Sequence, residues 1–402
     1  MNHVYKVLML IVFMVYIIPT IAQENNIIIY TNNLWIDKHP QDAPSPKFVI
    51  TSNNGKFQFG IGGYAKLNGL YDFQDLDNLQ DFITYELPVP QQSDIRGRMH
   101  LSANQSRIHT EFLGKTDKGV IKIYIEGDFR GDNNAFRLRQ AYGRYKGFLI
   151  GQTWTTLMDL GASPNTIDFE GPNCEVSLRT AMIRYGAKIS DHFKFAVALE
   201  TPDPSITNTN NTKLIPQYWP DVIARIKWHG KLGHLMLGGV FRDIAYEDSV
   251  TKKNKTAHGY GVSFSGSVNI TKNDLFMFQA VYGKGIAYYI QDISGVGLDL
   301  VPKNPGSGTL EALPAYGVYG AFQHNWTKKL NSTVVYGFTY VEDLGFKPNN
   351  AYKLGQYFAA NLFYNYNENI STAIEYLWGQ RTNKDDATGP GSRINFMVQY
   401  SF

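Results

Sequence analysis

Basic residues recur along one stretch of this chain at spacings that place them on shared strand faces: Lys66, Arg107, Lys122, Arg137 with Arg139, Arg184, and Arg225 with Lys227. Side chains two residues apart on a strand project to the same side. A guanidinium carries a planar fork of donors that meets a carboxylate at two points, so the set suits recognition of anions rather than their transformation. The same charges could instead neutralise neighbouring carboxylates such as Glu111 and Glu126. Strand arginines outnumber strand carboxylates on the neighbouring early strands, which favours recognition.

A second group sits in residues 155–176, where Asp159, Asp168, Glu170 and Glu175 are interspersed with Leu157, Leu160, Ile167 and Phe169. A solvated loop would avoid those apolar residues. The pattern predicts a segment folded back on a pore wall, narrowing the pore and setting carboxylates across from the arginines. An ordinary outer loop is the alternative.

Catalytic constellations are missing from the sequence. There is no Gly-x-Ser-x-Gly elbow, and no histidine pair has metal-ligand spacing. His109 shares a face with Arg107, whereas His229 and His234 flank a predicted turn. The single Cys174 allows neither an internal disulfide nor a Cys-based zinc site and reads as a bystander thiol. The chain is expected not to be an enzyme and to need no cofactor or metal.

The elements that must carry the basic residues are strands. In the closing run, Ile394, Phe396, Val398, Tyr400 and Phe402 alternate with mostly polar neighbours, and the run ends on an aromatic residue. Exposed on a soluble protein, such a strand would invite aggregation. In a closed barrel it pairs with the first strand and turns its apolar face to lipid. It would also be the segment that the barrel-assembly machinery engages, through the strand ending at Phe402. Similar alternation marks 56–72, 102–114, 119–128, 136–146, 147–154, 177–188, 193–200, 220–229, 233–246, 257–270, 274–284, 315–326, 329–341, 353–366, 369–381 and 391–402, about sixteen segments in all. Short gaps alternate with longer ones at 73–101, 129–135, 155–176, 201–219, 247–256, 285–314, 342–352 and 382–390, as when one rim has turns and the other loops.

Residues 1–22 hold Lys6, an apolar run over 7–18 and small residues before Ala22, the pattern of a secretory signal peptide. Residues 23–55, rich in Asn and Pro, read as an N-terminal periplasmic arm, and 56–402 as the barrel domain. Aromatic residues make up 14% and charged residues 18%, with 37 glycines, which suits closely packed strands better than a soluble domain. The net charge of +3 gives no reason to expect nucleic acid as a partner. The expected fold is therefore all-β: a closed antiparallel transmembrane barrel of about sixteen strands with an inward-folded third outer loop, in the bacterial outer membrane and in contact with its lipid. As a porin it would pass small hydrophilic solutes, anions preferentially. A phosphate or general diffusion porin and a non-conducting structural or adhesin barrel are the alternatives.

Several runs resemble the DcaP-type trimeric porins: Gly60-Ile61-Gly62-Gly63-Tyr64-Ala65-Lys66-Leu67, Ser106-Arg107, Tyr124-Ile125-Glu126-Gly127-Asp128-Phe129, Leu138-Arg139-Gln140-Ala141-Tyr142-Gly143, Gly151-Gln152-Thr153-Trp154, Met158-Asp159 and Thr166-Ile167-Asp168-Phe169-Glu170-Gly171-Pro172. The likeness is good from about residue 56 to 186 and rests beyond that on strand rhythm and the terminal Phe. The resemblance implies a sixteen-stranded homotrimeric channel for small anions, with dicarboxylates as the preferred class. Members often carry an N-terminal coiled-coil extension, from which the heptad-free arm here departs.

Overall fold

The computed structural model describes residues 39–402 except 75, 92–96, 208 and 343–347. The expected signal peptide and residues 23–38 of the expected arm lie outside the described residues. The strands open with β1 (Phe48–Thr51), β2 (Phe57–Asp72), β3 (Arg98–Ser102), β4 (Arg107–Thr116), β5 (Gly119–Asp128), β6 (Arg137–Tyr145) and β7 (Phe148–Trp154). They continue with β8 (Arg179–Lys188), β9 (Phe193–Glu200), β10 (Thr212–Leu214), β11 (Asp221–Gly230), β12 (Gly233–Asp248), β13 (Lys253–Asn269) and β14 (Asp274–Lys284). The last are β15 (Leu300–Pro302), β16 (Leu310–Ala312), β17 (Pro314–Asn325), β18 (Leu330–Val341), β19 (Tyr352–Asn365), β20 (Ile370–Asn383) and β21 (Thr388–Ser401).

Both β3 and β4 pair with β2, so they form one interrupted stave. With β1, β10, β15 and β16 set aside as accessory pieces, sixteen antiparallel staves remain. The sheet closes where β21 pairs with β2 from Tyr64↔Ser401 to Asp72↔Arg393. Closure leaves no free ladder edge between these strands, the condition for crossing hydrocarbon with strands. Outward residues such as Ile125, Leu138, Ile183, Val222, Phe241, Val262, Val334 and Val398 are exposed and apolar. On β11 the inward neighbour Ile223 is fully buried while Val222 and Ile226 face out. One short turn shows its local chemistry plainly: Lys146 and Gly147, at φ 46° and 86°, link β6 to β7 in the mirror-image turn that matches strand twist.

Two of the expected longer loops, 247–256 and 382–390, are tight turns instead, because β12–β13 and β20–β21 run on to Asp248, Lys253, Asn383 and Thr388. Polar residues occupy those ends (Glu247, Asp248, Lys253, Asn254, Thr382, Asn383 and Thr388), so apolar alternation fades before the ladder does. At the other terminus, β1 pairs with β2 from Phe48↔Ile61 to Thr51↔Gln58, so a boundary at 55/56 cuts a hairpin. β1 continues the line of β21, whose Phe402 exchanges backbone hydrogen bonds with Gly63.

Inside the barrel, loop residues form the core. Leu157, Met158 and Val176 pack with Ile286, Tyr289, Ile290 and Ile293 against Ile223, Val240 and Val281 of the wall. Leu76, Phe82 and Leu87 pack on Met277, Val335, Tyr357 and Leu377. Three stretches of loop (76–87, 155–178 and 285–313) thus turn inward, not the third loop alone.

Candidate anion-recognition site in the lumen

The arginine cluster is built by a bulge. The register of β5 with β6 slips between Glu126 and Gly127, so Gln140 stands opposite Glu126 while Leu138 stands opposite Gly127. Arg139 is the extra residue, and both it and Gln140 are buried. A Cβ at Gly127 would lie 2.1 Å from the Phe136 ring, so the small residue lets that ring cover the bulge. Arg137 donates through Nε and Nη2 to Asp128 at 2.9 and 2.7 Å. Arg139 donates to Glu126 at 2.9 Å and to Asp128 at 3.2 Å, and Arg107 Nη1 lies 3.7 Å from Glu126. Two carboxylates on β5 thus hold three guanidiniums. Above them lies the Phe169 ring, with Arg130 at 3.9 Å, Arg139 at 5.2 Å and Arg137 at 5.9 Å from its centroid.

The expected opposition of acidic loop and basic wall is corrected: Phe169, not a loop carboxylate, faces Arg137 and Arg139. Asp159 reaches the far wall, where Lys227 Nζ, Ser265 Oγ and His234 Nε2 lie 2.7, 2.9 and 2.8 Å away. Burial alone would raise its pKa, but the hydrogen bond from His234 and the charge of Lys227 hold the carboxyl below the usual range. Asp168 accepts from Phe82 N and Tyr357 Oη, and its own amide and that of Ile167 donate to Glu375. Burial, with Glu375 and Asp81 nearby, pushes Asp168 up to about 8. Glu170 is held through its carbonyl by Gln291, and Glu175 is buried. A buried carboxylate needs donors, and Asp159 and Asp168 find theirs on the walls and at the Phe82 amide, whereas Glu175 Oε1 makes no hydrogen bond.

Other basic residues anchor the loop, pair with a neighbour on the wall or stand without carboxylates. Arg184 donates to Thr156 Oγ1 and the Trp154 carbonyl, and Arg225 to the Met158 and Thr156 carbonyls at 2.9 and 3.2 Å. Lys66 is buried against Gln105 at 2.9 Å, and Lys122 pairs with Glu111 at 2.6 Å. Sequence alternation misses two cations. Arg144 stands opposite inward-facing Lys122 because the bulge shifts the inward parity from 137 and 139 to 140, 142 and 144. Arg179 stands opposite Trp154 at the strand ends, where the chain turns into the lumen, and its guanidinium lies 4.5 Å from the Trp154 ring centroid. Among the described residues, no carboxylate lies within ion-pair distance of Arg144, Arg179, Arg184 or Arg225. Residues 39–42 are a further unexpected element: the Gln41 carbonyl accepts from Arg107 Nη1 at 2.6 Å, and the His39 ring stacks 5.2 Å from Trp154.

The fold is that of the outer-membrane channels. The DcaP channel of Acinetobacter baumannii superposes with a TM-score of 0.77 at 20% identity, over 88% of this chain and 99% of that one. An anion-selective porin from Comamonas acidovorans gives 0.57 at 10% identity, over 86% and 100%. OmpT of Vibrio cholerae gives 0.56 at 12% identity, over 88% and 99%. No curated protein sequence matches the chain. The family model described as DcaP outer membrane protein matches residues 41–402, and the chain belongs to that family of bacterial outer-membrane channels.

Proposed function

We propose that this channel passes small hydrophilic solutes by passive diffusion and prefers anions, small dicarboxylates above all. The observation that carries the reading is the set of Arg144, Arg179, Arg184 and Arg225 on the alternate staves β6, β8 and β11, each without a carboxylate in ion-pair reach among the described residues. Positive charge left over on a low-dielectric wall attracts anions into the lumen. A cation about 5 Å from an anion contributes ~0.8 kcal/mol in bulk water and ~3 kcal/mol at an effective dielectric near 20. Two such contacts on a dianion correspond to roughly millimolar affinity, strong enough to bias entry and weak enough for release. The porin of Comamonas acidovorans that shares the fold is described as anion-selective.

The reading extends to processing and assembly: cleavage after Ala22, insertion through the strand ending at Phe402, and a homotrimer in outer-membrane lipid. A trimer form of the Vibrio cholerae OmpT shares the fold, and closed cyclic assembly would cover part of the apolar exterior. Native mass spectrometry in mild detergents should give three copies; a persistent monomer would count against assembly alone. The selectivity is tested by the reversal potential in a KCl gradient, followed by block with succinate. A cation-selective pore, or one indifferent to succinate, would overturn the reading.

A further inference from the structure

The chain supplies its own occupant for the arginine cluster. Gln41 places its carbonyl on Arg107 Nη1 at 2.6 Å and its side-chain amide on the Asp168 carbonyl at 2.8 Å. The Asp42 carboxylate accepts from the His39 amide at 2.9 Å and lies 3.9 Å from Arg107 Nη1, while the His39 ring lies on Trp154. The wall is shaped for this run. Gly60 and Gly62 face inward on β2, and a Cβ at either would sit 2.7 or 2.9 Å from Pro46. From there the chain passes into β1, pinned to the seam of the barrel.

Arg107 is only partly satisfied by this arrangement. Its side chain is fully buried, yet Nε and Nη2 make no hydrogen bond. Those two groups form the side-on fork that Arg137 spends on Asp128. One carbonyl and two carboxylates beyond hydrogen-bond range, Glu126 and Asp42, are a poor substitute for a carboxylate in that fork.

We infer that residues 39–42 act as a tethered stand-in for solute at Arg107, and that a small carboxylate binds the Arg107 guanidinium in place of the Gln41 carbonyl on Nη1. The inference rests on the anion-preferring reading above. It makes the segment a determinant of solute affinity: a competitor held at high local concentration lowers the apparent affinity by the fraction of time it vacates the site.

Planar-bilayer recordings of the full channel test this with two unrelated changes, His39→Ala/Asp42→Asn at the segment and Gly60→Leu on the wall beneath it. Each is expected to raise single-channel conductance and to lower the succinate concentration for half-block, by roughly tenfold if the site is vacated a tenth of the time. Both gains should vanish when Arg107→Ala is added. Folded variants that block like the wild type, or that gain equally without Arg107, overturn the inference. If the variants do not fold, hydrogen exchange of the unaltered protein decides: saturating succinate should speed exchange over residues 39–46, and unchanged or slower exchange overturns it. A wild-type pore without anion preference sinks the parent reading; a pore with that preference, unaltered by these changes, sinks this inference alone.

Discussion

The Arg179 guanidinium lies 4.5 Å from the centroid of the Trp154 ring, directly opposite it in the β7–β8 ladder. Stacking orients the fork without consuming its donors, and no carboxylate among the described residues takes them. Arg179→Ala should therefore weaken succinate block by about five- to tenfold, equivalent to ~1–1.4 kcal/mol, and shift the reversal potential towards cations. Arg179→Lys keeps the charge but not the planar fork, so selectivity should survive better than block. Equal block by wild type and the Ala variant would remove Arg179 from the site.

Arg139 behaves differently, because it sits buried between Glu126 and Asp128. Removing one partner of a buried ionic network leaves uncompensated charge and costs about 3–5 kcal/mol. Arg139→Ala should lower the temperature at which the folded band is lost in a gel-shift assay, and adding Glu126→Gln should restore part of it. Arg137 is partly exposed, so Arg137→Ala should lose much less. A folded band of unchanged stability in Arg139→Ala would show that the network is not structural.

Much of this architecture is legible in the sequence because barrel strands advertise themselves by period. The segments at 119–128, 193–200 and 274–284 coincide with β5, β9 and β14. The site is less legible, for identifiable reasons. A bulge leaves no mark in a pattern of apolar residues, so the inward turn of Arg144 is hidden. Strict alternation assigns Arg179 the outward parity of Ile183 and Tyr185, yet the strand end bends it inward. Loop carboxylates are visible, but their partners Lys227, His234, Tyr357 and Glu375 lie far along the chain. Residues 39–46 have no periodicity at all, and only the glycines at 60 and 62 hint that something lies on them.

The raised pKa of Asp168, about 8, gives a pH dependence with a defined sign. Its folded-state value is above the ordinary carboxyl range, so the folded protein holds the proton more tightly than the unfolded chain. Stability associated with this group is therefore lost as pH rises from roughly 4 through 8. Ionisation beside Asp81 and Glu375 also adds negative charge to the lumen. Anion preference should fall between pH 6 and pH 9 in the wild type and stay flatter in Asp168→Asn. At pH 6 the Asn variant should match the wild type, since the carboxyl is neutral there. Identical pH profiles for the two proteins would exclude Asp168 as the titrating group.

Asp159 is the tether that draws the loop 155–178 across to β11, β12 and β13, through Lys227, His234 and Ser265. Arg184 and Arg225 hold the same loop near its start, and Glu375 holds its middle through the amides of Ile167 and Asp168. Asp159→Ala removes the tether and takes from the buried Lys227 ammonium the carboxylate 2.7 Å away, a loss of about 3–5 kcal/mol for a broken buried pair. Two effects follow that can be separated. Adding Lys227→Met takes away the charge that has lost its carboxylate while preserving an apolar stem, so the folded band should regain heat resistance. The tether stays broken, so current fluctuations in single-channel records should remain larger than in the wild type for both variants. Quiet, wild-type currents from Asp159→Ala/Lys227→Met would show that the arginines and Glu375 alone fix the loop.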